Sequence, residues 1–229
     1  MNLYYIEKGN GKPIVFLHGN GEDHTYFFAQ IDYFSNEYRV IAIDSRAHGK
    51  SPRGDGELSL SRFADDLFDF LTDKKLDSVI LSGFSDGANV AMLFALKHPD
   101  MVEKLILNGG NIDPSGIKRS TQLPIEIGYK IASHFAKKSE KAKKNAEILG
   151  LMVNEPHILP EELSKLKMPT LVIVGTRDMV KSAHTELIAN SLPNAKLAIL
   201  KGDHFIAAKK PREFNYAVQE FLKADIAQG

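Results

Sequence analysis

Cysteine is missing from this chain altogether. Disulfides, thiolate metal sites and a cysteine nucleophile are therefore excluded. Net charge is missing too: 29 Lys and Arg stand against 29 Asp and Glu, so no overall field draws the chain to nucleic acid or to an anionic membrane. Nowhere do about 18 apolar residues run together, the length a membrane helix needs. The segment Met1-Asn2-Leu3-Tyr4-Tyr5-Ile6-Glu7-Lys8 lacks a basic stretch followed by an apolar one, so neither export nor anchoring is expected and the cytoplasm is the expected compartment. Internal repeats and low-complexity stretches are also absent. The expected partner is a small molecule, acting on a monomer or homodimer.

What is present is enough apolar residue for a substantial core. The chain has 229 residues, 43% of them apolar, which suits one large domain or two small ones. Six short runs rich in Val, Ile and Leu recur, at residues 14–17, 40–43, 79–81, 105–107, 171–174 and 197–200. They do not alternate with polar residues, so both faces are expected to be buried, as in a parallel sheet covered by helices on each side. Between them, Leu60, Phe63, Ala64, Leu67 and Leu71 form a helical stripe behind a cap at Ser59, and Phe214, Val218, Phe221 and Leu222 form another behind Pro211. Residues 3–6 add a strand able to pair antiparallel, with a Gly9-Asn10-Gly11 turn before the first buried run.

About sixty residues between Asn108 and Thr170 carry no strand-like run, and a bare loop of that length is improbable in a compact domain. Ile127, Ile131 and Phe135, then Ala142, Ala146, Leu149 and Val153, recur at helical spacing, which predicts two or three amphipathic helices lying over the sheet. Five lysines between Lys137 and Lys144 read as their solvated face or junction. The expected organisation is an α/β core of residues 1–111 and 169–229, with 112–168 inserted as a helical unit.

In an open parallel sheet, ligands bind at the carboxyl ends of the strands. There the chain places His18-Gly19-Asn20-Gly21, then the stretch from Asp44 to Ser51, then Gly83-Phe84-Ser85-Asp86-Gly87, then Gly175-Thr176-Arg177-Asp178, and finally Gly202-Asp203-His204. A serine between two glycines at a strand-to-helix turn sits where the backbone bends too sharply for flanking side chains, so its hydroxyl projects into open space. One hydroxyl, one carboxylate and one imidazole thus arrive at the same edge from separate strands.

These motifs resemble the α/β-hydrolase superfamily from end to end: an HG oxyanion loop at His18 to Gly21, D-x-R-x-H-G-x-S from Asp44 to Ser51, G-x-S-x-G around Ser85, G-x-x-D ending at Asp178, and G-D-H ending at His204. The order Ser, Asp, His is that superfamily's order. The resemblance implies a mostly parallel sheet with helices on both faces, and makes 112–168 a cap inserted after the sixth family strand. It is closest in pattern to the small-cap branch of esterases, lactonases and carbon-carbon hydrolases.

The implied roles follow. Ser85 is too weakly acidic to attack alone, so His204 accepts its proton and later hands it to the leaving group. Asp178 fixes the imidazole tautomer. The family pattern places the backbone N–H groups of Asn20 and Asp86 where negative charge grows on oxygen. Competing readings stand beside these. Ser85 or Asp178 is able to cap a helix, Asn20-Gly21 is able to form an ordinary turn, and Asp113 beyond the fourth strand rivals Asp178 as the acid. The Asp203 side chain is expected to point away from His204. His18 and His48 read as loop-bracing residues, while His24, His98, His134, His157 and His184 have no evident partner and read as surface or cap residues. Neither a metal nor a cofactor is expected, although Asp44 and His48 have carboxylate-imidazole spacing.

A serine nucleophile argues against the branches that use aspartate there. The expected activity is hydrolysis of a small ester, thioester or lactone through an acyl-enzyme. The alternatives are carbon-carbon hydrolysis of a diketone by the same triad, and a ligand receptor that keeps the triad.

Overall fold

The computed structural model describes residues 1–224. Its sheet contains β1 (Tyr5–Lys8), β2 (Pro13–Leu17), β3 (Arg39–Ile43), β4 (Val79–Phe84), β5 (Val102–Asn108), β6 (Thr170–Arg177) and β7 (Ala195–Asp203), in the order β1-β3-β2-β4-β5-β6-β7. All neighbours from β3 to β7 are parallel, so each crossover needs a helix. The crossovers carry α1 (Phe28–Phe34), α2 (Leu60–Asp73), α3 (Asp86–Lys97), α4 (Arg119–Phe135), α5 (Glu140–Asn154), α6 (Pro160–Leu163) and α7 (Ser182–Ser191), while α8 (Ile206–Lys209) and α9 (Pro211–Lys223) follow β7. The N-terminal strand is antiparallel as expected, and its partner is β3, with Tyr5 opposite Ile43, rather than the strand that follows the glycine turn.

Alternate strand residues feed two cores, as the two-residue period of a strand requires. Val15, Leu17, Leu81 and Leu107 pack with α2 and α3 on one face. Ile14, Phe16, Ile80 and Ile106 pack with α1, α8 and α9 on the other. Ser59 caps α2 by accepting from the Arg62 N–H, and the apolar face behind that cap is buried at Leu60, Phe63, Ala64, Leu67 and Leu71. Helix α3 is buried nearly all round because it sits centrally against the sheet.

Two expectations about burial fail. The run at 197–200 was expected to be buried on both faces, yet Ile199 is 57% exposed. The strand β7 is the last of the sheet, and the helix layer on that face ends with α7, which buries only Thr185 and Ile188. The stripe on α4 was expected to lie over the sheet. Instead Leu123, Ile127, Ile131 and Phe135 are 42%, 50%, 57% and 49% exposed. The helix packs on α5, not on a strand, and its buried residues are Gln122 and Ala132. It is α5 that reaches the core, through Leu151.

Candidate active site

Strand β4 ends at Phe84, and the chain turns into α3 through Ser85 at φ 53° and ψ −120°. Such a conformation costs a non-glycine residue on the order of 1–3 kcal/mol and persists only where the surroundings enforce it. Here the Ser85 N–H donates to the Asn108 carbonyl of β5 at 2.8 Å, and the Ser85 carbonyl accepts from Ala88 and Asn89 in the first turn of α3. The flanking glycines are steric requirements. A Cβ on Gly83 would collide with the Gly87 carbonyl, and one on Gly87 with the Leu17 carbonyl of β2. The Ser85 side chain makes no capping bond, so its hydroxyl is left for another partner.

That partner is His204. Its Nε2 lies 3.0 Å from Ser85 Oγ, and its Nδ1 lies 2.8 Å from Asp178 Oδ1. The loop after β6 delivers the carboxylate, the loop after β7 delivers the ring, and all three residues are buried. Burial alone would push the Asp178 carboxyl up. Contact with His204 and the N–H groups of Val180, at 2.9 Å, and Gly175, at 3.5 Å, hold it below its ordinary value instead. Lys118 Nζ donates to the Asp178 carbonyl and ties this loop to the start of α4. The ring of His204 rests against Phe84, with centroids 4.8 Å apart.

The other acid candidate lies elsewhere. Asp113 accepts from the Ser115 N–H at 2.8 Å and holds His157 at 2.9 Å. The Asp203 side chain does point away, pairing with Lys209 at 2.6 Å.

Asn20 and Asp86 face each other beside Ser85. Among the described residues, neither backbone N–H has a hydrogen-bond partner. Their side chains are joined, Asn20 Nδ2 donating to Asp86 Oδ2 at 2.9 Å and also to the Ile148 carbonyl of α5 at 2.9 Å. The orientation of Asp86 was not legible in the sequence; the side chain is buried, and that burial pushes its carboxyl up to about 6 against the opposing Asn20 bond. Glu22 escaped the sequence reading. It accepts from the Gly19 N–H at 3.3 Å, lies near His204, and is raised by burial to about 7. Its only sequence signal was its place three residues after Gly19 in the loop.

Histidines brace the loops. His18 Nδ1 donates to the Gly19 carbonyl at 2.8 Å while Nε2 accepts from the Ser45 N–H at 2.9 Å, which joins the ends of β2 and β3. Burial, helped by nearby His48, lowers its pKa to about 4. His48 Nδ1 donates to the Arg46 carbonyl at 2.8 Å. Three histidines read as partnerless have hydrogen-bond partners: besides His157 on Asp113, His24 is buried, with its N–H and its Nδ1 each 2.7 Å from Asp44 Oδ1, and His184 Nε2 accepts from the Ile112 N–H at 3.1 Å. Their partners come from sequence-distant loops, which spacing along the chain does not reveal. Asp23, His24 and Asp44 have donor atoms within 4.8 Å of one another. Those oxygens are already engaged: Asp44 accepts from His24 and from the Lys50 N–H, and Asp23 Oδ1 accepts from Thr25. The trio therefore reads as a loop brace rather than a metal centre.

The sequence pattern of the alpha/beta hydrolase fold matches residues 12–129, which spans β2 to the middle of α4 and includes Ser85. The chain belongs to this family. It is 25% identical to the (E)-2-((N-methylformamido)methylene)succinate hydrolase of Acinetobacter baylyi, over 96% of this chain and 94% of that protein. It is 26% identical to the human serine hydrolase BPHL, over 97% and 84% of the two chains. The solved enol-lactonase of Burkholderia xenovorans LB400 superposes with a TM-score of 0.81 at 20% identity, covering 97% of this chain and 96% of that one. Hydrolysis is thus the chemistry its relatives support. Among the described residues, no helix is long and apolar enough to cross a membrane.

Proposed function

We propose that this alpha/beta hydrolase cleaves a small carboxylic ester, thioester or lactone through an acyl-enzyme on Ser85. The observation that carries the proposal is the continuous contact from Asp178 through His204 to the strained Ser85, 2.8 Å and 3.0 Å, next to two unpartnered backbone N–H groups. Ser85 Oγ attacks the carbonyl carbon while its proton moves to His204 Nε2. Negative charge develops on the carbonyl oxygen beside the N–H groups of Asn20 and Asp86. Each such donor is typically worth about 3 kcal/mol in the transition state, and the N-terminus of α3 adds its positive dipole end. The bond to the leaving alcohol or thiol then breaks, and that group departs with the proton from Nε2. Water repeats the sequence on the acyl-serine: its proton goes to Nε2, the acid is released, and Ser85 Oγ takes the proton back.

In this reading 112–168 act as a cap. Helix α5 reaches the site through the Ile148 carbonyl on Asn20; the Arg53–Glu147 pair and, just past the helix, the Glu155 carboxylate, which accepts from the Leu60 N–H at 2.8 Å, tie it to the core.

The test is turnover of p-nitrophenyl acetate and a panel of graded esters, lactones and a diketone by wild type and Ser85→Ala. Loss of at least about a thousandfold on esters in the variant supports the proposal. Equal activity of both proteins on every compound defeats it, and a fluorophosphonate that labels a residue other than Ser85 does the same. Cleavage of the diketone alone, or binding without repeated turnover, assigns the triad to carbon-carbon hydrolysis or to ligand perception respectively.

A further inference from the structure

The outer side of α4 presents Leu123, Ile127, Ile131 and Phe135 at successive four-residue steps, all 42–57% exposed. At 1.5 Å per residue they make an exposed apolar strip about 18 Å long on the helix. Beside the strip, a groove of about 370 Å³ between the two helices is lined by Ile131, Phe135, Ala142 and Leu149 and by the stem of Lys141. Exposed apolar surface of this continuity marks an interaction site rather than ordinary surface.

The charge around it is one-sided. Although the whole chain is neutral, residues 127–146 hold six lysines and a single acid, Glu140. Lys130, Lys137, Lys138, Lys141, Lys143 and Lys144 are all exposed, and among the described residues none of their ammonium groups is in an ion pair or hydrogen bond. The balance over the whole sequence hides this patch.

An apolar helix face with a cationic fringe fits an anionic lipid surface: the strip enters the boundary of headgroups and acyl chains while the ammonium groups meet phosphate. A second copy of this chain fits poorly. In a two-fold contact the same patch meets itself. With the α4 helices parallel, the lysine-rich ends would face each other. With them antiparallel, those ends would meet Lys118 and Arg119, and the nearest acid, Glu126, is already held by Arg119 at 2.6 Å. We propose that the outer face of α4 is a docking surface for anionic membranes, which the lysines from Lys130 to Lys144 orient and which seats the cap against the bilayer. This inference is independent of the chemistry assigned to Ser85.

The experiment is flotation of the full chain with vesicles of phosphatidylcholine, alone or mixed with phosphatidylglycerol. Binding to the mixed vesicles, weakened by 0.5 M salt and absent on pure phosphatidylcholine, is expected. One basic residue near an anionic surface typically changes partitioning about fivefold. Lys137→Glu with Lys138→Glu is therefore expected to lower it more than tenfold, and Ile127→Ser with Ile131→Ser is expected to lower it about tenfold. Reversing the same charge on the far edge of the sheet, with Lys196→Glu and Lys201→Glu, leaves it within about twofold. Unfolding midpoints within about 2 °C of wild type establish that the variants are folded. The proposal is overturned if the mixed vesicles do not bind the chain, or if binding survives reversal of the α4–α5 lysines. It is equally overturned if sedimentation shows a dimer that Ile127→Ser with Ile131→Ser dissociates, because a second copy then covers the strip.

Discussion

Replacing Asp86 by Asn should stabilise the protein, and by an amount that depends on pH in a predictable way. Burial raises this carboxyl from 3.8 to about 6 even though Asn20 donates to it. At neutral pH the native state must carry a buried anion that the unfolded chain carries in water. A shift of about two units corresponds to about 3 kcal/mol at 1.36 kcal/mol per unit. Asn keeps an acceptor for Asn20 and has no charge to bury. Its amide N–H groups, however, face Asn89 Nδ2, which lies 3.4 Å from Asp86 Oδ1 and is itself a donor, and that opposition offsets about 1 kcal/mol. The net gain at pH 7.5 is therefore about 2 kcal/mol.

The sign follows from proton counting. Between pH 3.8 and about 6 the native protein retains a proton on Asp86 that the unfolded chain has released, so this group's contribution to stability falls as pH rises through that window and levels off above it. At pH 4 the carboxyl is protonated in the native state, and the advantage of Asn shrinks by about 2 kcal/mol. Urea unfolding of both proteins at pH 4, 5, 6 and 7.5 measures the difference directly. A gap that stays constant across the series, or one that widens toward acid, would refute the assignment of Asp86 as a titrating buried acid.

Three further outcomes are expected. Gly109 sits at φ 63°, and a Cβ there would lie 2.8 Å from His204 Cε1 and 2.9 Å from its Nδ1; Gly109→Ala should displace the ring from Ser85 and cut kcat on p-nitrophenyl acetate by at least tenfold, since a positioned base is worth about 10²–10⁴, and unchanged kcat would mean that His204 does not act from this position. Arg46 makes two bonds to Asp66, at 2.6 and 2.5 Å, in a buried pair; Arg46→Ala leaves Asp66 uncompensated and should cost about 3–5 kcal/mol in urea unfolding. The partly exposed Arg53–Glu147 pair is the contrast: Arg53→Ala should cost no more than about 1 kcal/mol, and equal losses in the two variants would contradict the burial argument.

Much of this molecule was legible because its sequence signals are local. Unbroken apolar runs such as Val79-Ile80-Leu81 announce central strands, the Ser59 cap and the stripe behind it announce α2, and the glycines about Ser85 announce a bend that no side chain tolerates. The order of chemical groups at the strand ends placed Ser85, Asp178 and His204 on one edge. What stayed hidden depends on what a surface meets. The four-residue spacing of Ile127, Ile131 and Phe135 states that α4 has an apolar face and says nothing of whether that face meets the sheet or solvent. The same holds for Ile199, which reads like any central strand residue until the strand order makes it peripheral. Partners brought together by loops were equally out of reach: His24 and Asp44 are twenty positions apart, and Glu22 meets His204 only because the first and last strand-end loops converge.

The loop that carries Asn20 depends on a histidine that must remain neutral. His18 serves as donor to the Gly19 carbonyl and acceptor from the Ser45 N–H at once, a combination available only to the uncharged ring. Burial and His48 lower its pKa from 6.5 to about 4. Between those values the unfolded chain binds a proton that the native state refuses, so this group's contribution, about 3 kcal/mol, is complete above pH 6.5 and is lost as pH falls toward 4. That slope is opposite to the slope of Asp86, and the two windows nearly coincide. Glu22, raised from 4.5 to about 7, slopes the same way as Asp86, so His18 is opposed by two carboxyls. Asp86→Asn removes one of them, and the variant's stability should therefore rise relative to wild type by about 2 kcal/mol from pH 4 to 6.5. Loss of the Ser45 anchor should also be visible locally: exchange of the Ser45 amide hydrogen should accelerate in step with His18 protonation near pH 4, ahead of global unfolding. If that amide stays as protected at pH 3.5 as at pH 6 after correction for intrinsic exchange, His18 does not hold the Asn20 loop to the end of β3.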